Sequence, residues 1–324
     1  MKIAVDAMGG DHAPQAVVEG VCQVASQVQG TIVLVGDPER IQSCVAESLP
    51  VNVEVYAASE VISMDEKPTE AVRKKKDSSL VVAVNLVKDG FAQAFVSAGN
   101  TGAATAASLI SWRQAAGIKR PAIASVFPNK FGQFLLLDAG ASPDVDPENL
   151  VEFALMGRAY AERVMGKTKT RVHLLNIGEE PGKGNAFAKE AHDLMSQHAW
   201  FAGNIEGKDM FHEKCDVVVC DAFVGNIVLK TAEGVAEFIV DQIRAEVPRG
   251  IGKLLYLPMK KAMAPLRKKM DYAEYGGSPL LGLNGICVIC HGRSNPKAIR
   301  NAVLTAAKSV QNDLVGTIRT FVAQ

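Results

Sequence analysis

Met1-Lys-Ile-Ala-Val-Asp6-Ala-Met-Gly9-Gly10-Asp11-His12 opens the chain with a short apolar run that ends on an aspartate and two adjacent glycines. Residues 2–6 read as a strand, Gly9 and Gly10 as a turn, and 14–28 as the helix behind it. A strand at 31–35 completes a β-α-β unit, and the alternation continues outward from there. Further strands are expected at 51–56, 92–96, 122–127, 133–138, 172–175, 216–220 and 286–289. Helices are expected at 38–48, 69–88, 101–115, 147–165, 185–197, 226–246 and 296–323. Pro38, Pro147 and Pro296 suit first helical turns, where a missing amide proton costs nothing. This alternation predicts a three-layer α/β/α sandwich. Residues 122–127 and 133–138 are joined by a tight loop with no helix between them, so one antiparallel pair is expected in a mixed, mostly parallel sheet. No long linker or internal repeat interrupts the pattern, and a single α/β domain over 1–324 is expected.

Composition narrows the classes. Among 324 residues, 35 Lys and Arg balance 35 Asp and Glu, which excludes a uniformly basic nucleic-acid coat. Hydrophobic residues at 48% and charged residues at 22% exclude disorder and support a large core. The amino terminus carries no apolar stretch suited to a secretory signal, and no run is long enough to span a membrane, so a cytoplasmic protein is expected. Cys22, Cys44, Cys215, Cys220, Cys287 and Cys290 then read as reduced thiols. Cys287-Val-Ile-Cys290 matches C-x-x-C but lies in an apolar run without a second ligand pair, which favours buried structural cysteine over a metal site.

Open α/β sheets gather ligands at the carboxyl ends of their strands. Six of those ends combine glycine with polar residues: 6–12, 97–102, 138–142, 176–185, 221–226 and 291–294. Any one could be a plain turn or helix cap. Six on one edge point to a site. Met8-Gly9-Gly10-Asp11 is not G-x-G-x-x-G, so a nicotinamide cofactor is not expected. Only three residues separate Gly178 from Gly182, and Lys183 precedes Gly184, so this loop is not a phosphate-binding Walker motif. No G-x-S-x-G elbow occurs. Acyl transfer at this edge would therefore pass directly between substrates, and no cofactor or metal is expected.

Taken in order, these loops resemble the bacterial phosphate acyltransferases of phospholipid synthesis, which make acyl phosphate from acyl-[acyl carrier protein] and inorganic phosphate. The resemblance runs nearly end to end. It is carried by Asp6-Ala-Met-Gly-Gly-Asp11, Ser97-Ala-Gly-Asn-Thr-Gly102, Asp138-Ala-Gly140, Asn176-Ile-Gly-Glu179 with Lys183-Gly-Asn185, Phe223-Val-Gly-Asn226-Ile-Val-Leu-Lys-Thr231, and Tyr275-Gly-Gly277 with Pro279-Leu-Leu-Gly282. Ala222 and Arg293 depart from the pattern, at positions where glycine and a small residue are common. The resemblance implies a fold similar to phosphotransacetylases and to isocitrate and isopropylmalate dehydrogenases, and a homodimer. The dehydrogenase relation is one of fold and carries over no cofactor.

The implied reaction sets three tasks: holding phosphate, stabilising the oxyanion and protonating the departing thiolate. Candidates for catalysis are Lys183, Asp221, Asn226 and His291. Candidates for substrate binding are Asp6, Gly9, Gly10, Asp11, Ser97, Asn100, Thr101, Asp138, Asn176 and Glu179. Each strand-end aspartate could equally be a helix cap, and a lone histidine is more often structural.

Residues 249–270 carry seven basic and no acidic side chains, which leaves the remainder of the neutral chain at minus seven. Met259, Met263, Leu266 and Met270 share one helical face, with Pro265 splitting the run into two short helices. An amphipathic basic segment is expected over 249–275. Leu254, Leu255, Leu257, Lys260, Lys261, Arg267 and Lys268 are its candidate contacts with an anionic membrane, and packing on a dimer partner is the alternative. A peripherally membrane-associated enzyme is therefore expected, with contact to the downstream glycerol-phosphate acyltransferase implied by its product. Arg73-Lys-Lys-Lys76 reads as a solvated helix face or a dock for the acidic carrier protein. The competing readings are a phosphotransacetylase acting on short acyl-coenzyme A and a non-enzymatic scaffold that binds the carrier.

Overall fold

The computed structural model describes residues 1–245 and 272–324. Its first sheet contains β1 (Lys2–Asp6), β2 (Thr31–Gly36), β3 (Val53–Ala57), β4 (Ala94–Ser97), β5 (Ala122–Ile123), β11 (Ser278–Leu281) and β12 (Ile286–Ile289). They lie in the order β3-β2-β1-β4-β12-β11-β5. Pairing is parallel from β3 to β12 and antiparallel at β11 and β5. The second sheet contains β6 (Ser125–Asn129), β7 (Gly132–Leu137), β8 (Val172–Asn176), β9 (Phe201–Glu206) and β10 (Val217–Val219), in the order β6-β7-β10-β8-β9. Only β6 with β7 is antiparallel there, the hairpin expected from the tight loop.

The expected strand at 122–127 is thus two strands. β5 pairs with β11, the chain steps at Ala124, whose N–H donates to the Pro279 carbonyl at 2.9 Å, and β6 joins the other sheet. Two strands lie outside the expected set. β9 reads as loop because glycine and asparagine interrupt it. β11 does so because of Pro279, which breaks the strand pattern in the sequence although in the structure it pairs with Val288 of β12.

The helices are α1 (Gln15–Val24), α2 (Pro38–Gln42), α3 (Pro68–Lys74), α4 (Ser79–Lys88), α5 (Thr101–Trp112), α6 (Pro147–Arg163), α7 (Ala186–Met195), α8 (Ala222–Ala245), α9 (Pro296–Gln311) and α10 (Leu314–Val322). The segment 69–88 breaks in two because Ser78 caps α4 and Lys75 turns away to bond the Val61 carbonyl and Glu66. Asp313, at φ 45°, separates α9 from α10 and caps the second through the Gly316 N–H. α2 stops early, where Ser43 and Cys44 both donate to the Arg40 carbonyl.

One apolar cluster runs beneath both sheets, joining Ile3, Val5 and Leu34 to Leu135, Leu137 and Val217 through Phe153 of α6 and Val303 of α9. Leu80, Val84, Phe95 and Trp112 form a second cluster under α4 and α5. Phe127, Phe134 and Phe211 pack ring on ring on the far side of the second sheet. All six cysteines are free. Cys287 and Cys290 are buried, with thiols each pushed up to about 12 by burial, so the C-x-x-C pair belongs to the core. Among the described residues no helix is long and apolar enough to cross a membrane.

Candidate functional site

Asp6 ends β1 fully inside the protein. Its carboxylate accepts the hydroxyls of Ser79 at 2.6 Å and Ser97 at 2.7 Å, and the Met8 N–H at 3.2 Å. Burial pushes its pKa up, and those hydrogen bonds oppose the shift. Ser97 Oγ accepts the Gly99 N–H at 3.0 Å. A Cβ on Gly9 would lie 2.8 Å from Gly99 N and collide with the Asp6 carboxylate, so glycine is what lets the two loops touch. The Asp11 N–H donates to the Gly292 carbonyl at 2.8 Å and draws in the loop after β12. Asn100 caps α5 through the Ala103 N–H at 3.0 Å, and its amide donates to the carbonyls of Ser63, Met64 and Glu66.

Asp138 is treated the same way. Its buried carboxylate accepts four backbone N–H groups, from Ile123, Gly140 and Ala141 at 2.9 Å and from Ser142 at 2.8 Å. Burial raises its pKa against those four donors. Gly225, in the first turn of α8, leaves no room for a Cβ against the Asp138 carbonyl. Asp221 accepts the Val224 N–H at 2.9 Å and begins α8.

These loops surround a cavity of about 340 Å³ at the step where the two sheets meet. Its size falls in the range of small-molecule sites. The ends of β4, β7, β10 and β12 reach it through Thr101, Gly140, Asn226 and His291. Ile123, Val126, Leu229 and Ile289 supply apolar lining. The lining also includes Ser125, Ser278, Ser294 and the pair Lys230 and Glu233, whose charged groups lie 2.8 Å apart. His291 Nδ1 accepts the Arg293 N–H at 3.1 Å, which leaves the proton of a neutral imidazole on Nε2.

Of the residues expected from sequence, Thr101, Asn226 and His291 line the cavity, and Gly10 and Asp11 sit against Gly292 near His291. Asp6, Ser97, Asn100 and Asp138, expected to bind substrate, instead point into the protein and hold the loops in place, because their acceptors are taken by backbone and hydroxyl donors. Asn176, Glu179 and Lys183 do not line the cavity. Asn176 bonds the Lys183 carbonyl, Lys183 lies 3.7 Å from Glu180, and the Glu180 carbonyl takes an N–H of Asn204, so this loop folds onto itself and β9. Leu254, Leu255, Leu257, Lys260, Lys261, Arg267 and Lys268 lie outside the described residues. From the expected segment only 272–275 is described: Glu274 pairs with Lys297 at 2.7 Å, and Tyr275 lines the cavity. Arg73-Lys-Lys-Lys76 is partly neutralised, with Lys74 beside Glu70 and Lys75 bound to Glu66 at 2.6 Å.

Sequence reasoning passed over Ser125, Ser278, Lys230, Glu233 and Ser294. Lys230 was the legible one, since it follows Asn226 by four residues and shares its helix face.

A family model described as "Fatty acid synthesis protein" matches residues 1–316. A phosphate acyltransferase of Heliobacterium modesticaldum is 48% identical over 330 residues, covering 99% of this chain and 98% of that relative. Among solved structures, a phosphotransacetylase from Streptococcus pyogenes superposes with a TM-score of 0.63 at 16% identity, covering 96% of this chain and 94% of that one. A 4-hydroxythreonine-4-phosphate dehydrogenase from Klebsiella pneumoniae superposes with a TM-score of 0.51 at 13% identity, covering 94% and 98%. At such identities the structures establish the α/β fold alone. The near full-length relatives establish more: the chain belongs to the phosphate acyltransferase family and is an acyltransferase.

Proposed function

We propose that the protein transfers a long-chain fatty acyl group from acyl-[acyl carrier protein] to inorganic phosphate, giving acyl phosphate for phospholipid synthesis. The observation that carries this reading is the mixed lining of the cavity, which holds apolar side chains suited to the acyl carbons next to the thioester together with hydroxyls, an amide and a cation suited to phosphate. A phosphate oxygen attacks the thioester carbonyl, the C–S bond breaks, and the carrier thiol leaves with a proton. Asn226, which lines the cavity from the first turns of α8, donates to the developing oxyanion. His291, whose Nδ1 accepts the Arg293 N–H, protonates the thiolate from Nε2. The lining thiol of Cys290 is neutral at physiological pH, which supports direct transfer over an acyl-enzyme.

The enzyme works as a homodimer in reversible contact with an anionic membrane through residues 249–270, beside the glycerol-phosphate acyltransferase that consumes its product. Support for the dimer comes from α8, where Phe223, Ile227, Val235, Phe238 and Ile239 are all exposed along one long helix.

Incubation with a long-chain acyl carrier thioester, with and without phosphate, tests the reading. Phosphate-dependent release of free thiol, with acyl phosphate as co-product, is expected. Preference for acetyl-coenzyme A would select the short-chain reading, and no release from any thioester would leave a carrier-binding scaffold.

A further inference from the structure

We infer that Lys230 and Ser294 form the seat of the attacking phosphate, and that Glu233 is the counter-ion which phosphate displaces from Lys230. The inference rests on the proposed function and assigns its phosphate-binding groups. Lys230 and Glu233 both line the cavity, with Nζ 2.8 Å from Oε2. An unpaired carboxylate there would repel a phosphate dianion, and an unpaired ammonium would draw in stray anions. Paired, the two rest in balance until a doubly charged ligand competes for the ammonium. Lys230 is about half exposed, so its side chain has room to turn from Glu233 to a ligand.

Ser294 is an independent pointer. It is 4% exposed, lines the cavity, and its hydroxyl has no hydrogen-bond partner among the described residues. A buried hydroxyl left unpaired is unfavourable, and a ligand oxygen beside it removes the penalty. Ser294 directly precedes Asn295, whose side chain caps α9 through the Ala298 N–H at 3.0 Å. The seat therefore faces the positive end of a 16-residue helix. Ser125 and Ser278 lie across from each other with hydroxyls 3.1 Å apart. Whichever of them donates, the other keeps a proton for a ligand. An ammonium, two hydroxyl protons and a helix amino end suit a small tetrahedral oxyanion, which presents acceptors in every direction.

The test is steady-state thiol release from acyl carrier thioester at varied phosphate, together with equilibrium binding of radiolabelled inorganic phosphate to the full chain without acyl substrate. Lys230→Met is expected to raise the phosphate KM and weaken phosphate binding about tenfold or more, with the carrier KM unchanged and with Lys230→Arg recovering most of the loss. Ser294→Ala is expected to weaken phosphate several-fold, and Glu233→Gln to tighten it. Thermal melting confirms that each variant folds. Unchanged phosphate affinity in Lys230→Met and Ser294→Ala, or equal loss for phosphate and carrier, would overturn the seat, and unchanged affinity in Glu233→Gln would overturn the counter-ion role. If the wild-type protein forms no acyl phosphate yet binds phosphate in a Lys230-dependent way, the proposed reaction fails and the seat stands. No phosphate binding by the wild type removes the seat.

Discussion

His173 lies on β8 inside the second sheet, and burial, reinforced by Arg171 and opposed by Asp216, holds its imidazole down at about 4. The unfolded chain takes up the proton near 6.5, so the neutral native form contributes stability above that pH and loses it as pH falls toward 4. Unfolding free energy should drop by about 3 kcal/mol from this group across that window. His173→Leu should flatten the decline, as measured by urea denaturation at neutral pH and near pH 4. Asp6 and Asp138 act in the opposite sense. Their raised pKa values make their contribution greatest in acid and lost as pH climbs through the folded value, so Asp6→Asn should be least harmful at neutral pH and above. Cys290→Ala should retain acyl transfer, because the protonated thiol takes no part in bond-making. A loss of turnover in a folded variant would point to an acyl-enzyme. At this scale the sequence revealed residue types but not direction. An aspartate at a strand end can face a ligand or the backbone, and the local string of letters is the same in both cases.

Among the elements, α8 carries the most consequence. Its first turn can approach the loop after β7 only because Gly225 has no side chain against the Asp138 carbonyl. Gly225→Ala should cost about 1–3 kcal/mol and displace Asn226 from the cavity, read as a lower melting temperature together with lost turnover. Further along, the exposed apolar stripe predicts that Phe238→Glu shifts the protein from dimer to monomer in sedimentation velocity, with little change in helix content. β12 was legible to the residue because it is an unbroken apolar run, and the β6–β7 hairpin because no helix fits in its loop. β11 was hidden by Pro279, which has no N–H to give yet pairs with Val288 of β12 and accepts the Ala124 N–H through its carbonyl. Ser278, which lines the cavity, stayed hidden with it.

Over the whole molecule, zero net charge is the sum of a basic stretch at 249–270 and an acidic remainder. Each basic residue near an anionic leaflet is worth about 1 kcal/mol, so vesicle binding should be reversible and weaken with salt. Flotation with anionic liposomes checks this: Leu254→Glu with Leu257→Glu should abolish binding, and undiminished binding would remove the membrane contact. The sequence by itself determined the α/β class, the mostly parallel pairing, the family and the strand ends that carry polar loops, because periodicity and turn chemistry are local properties. Tertiary structure alone decided that the strands divide into two sheets at Ala124 and that the cavity opens at that step. It also decided which polar residues face the cavity and which brace the loops, since that depends on the donors that distant segments bring within reach of each side chain.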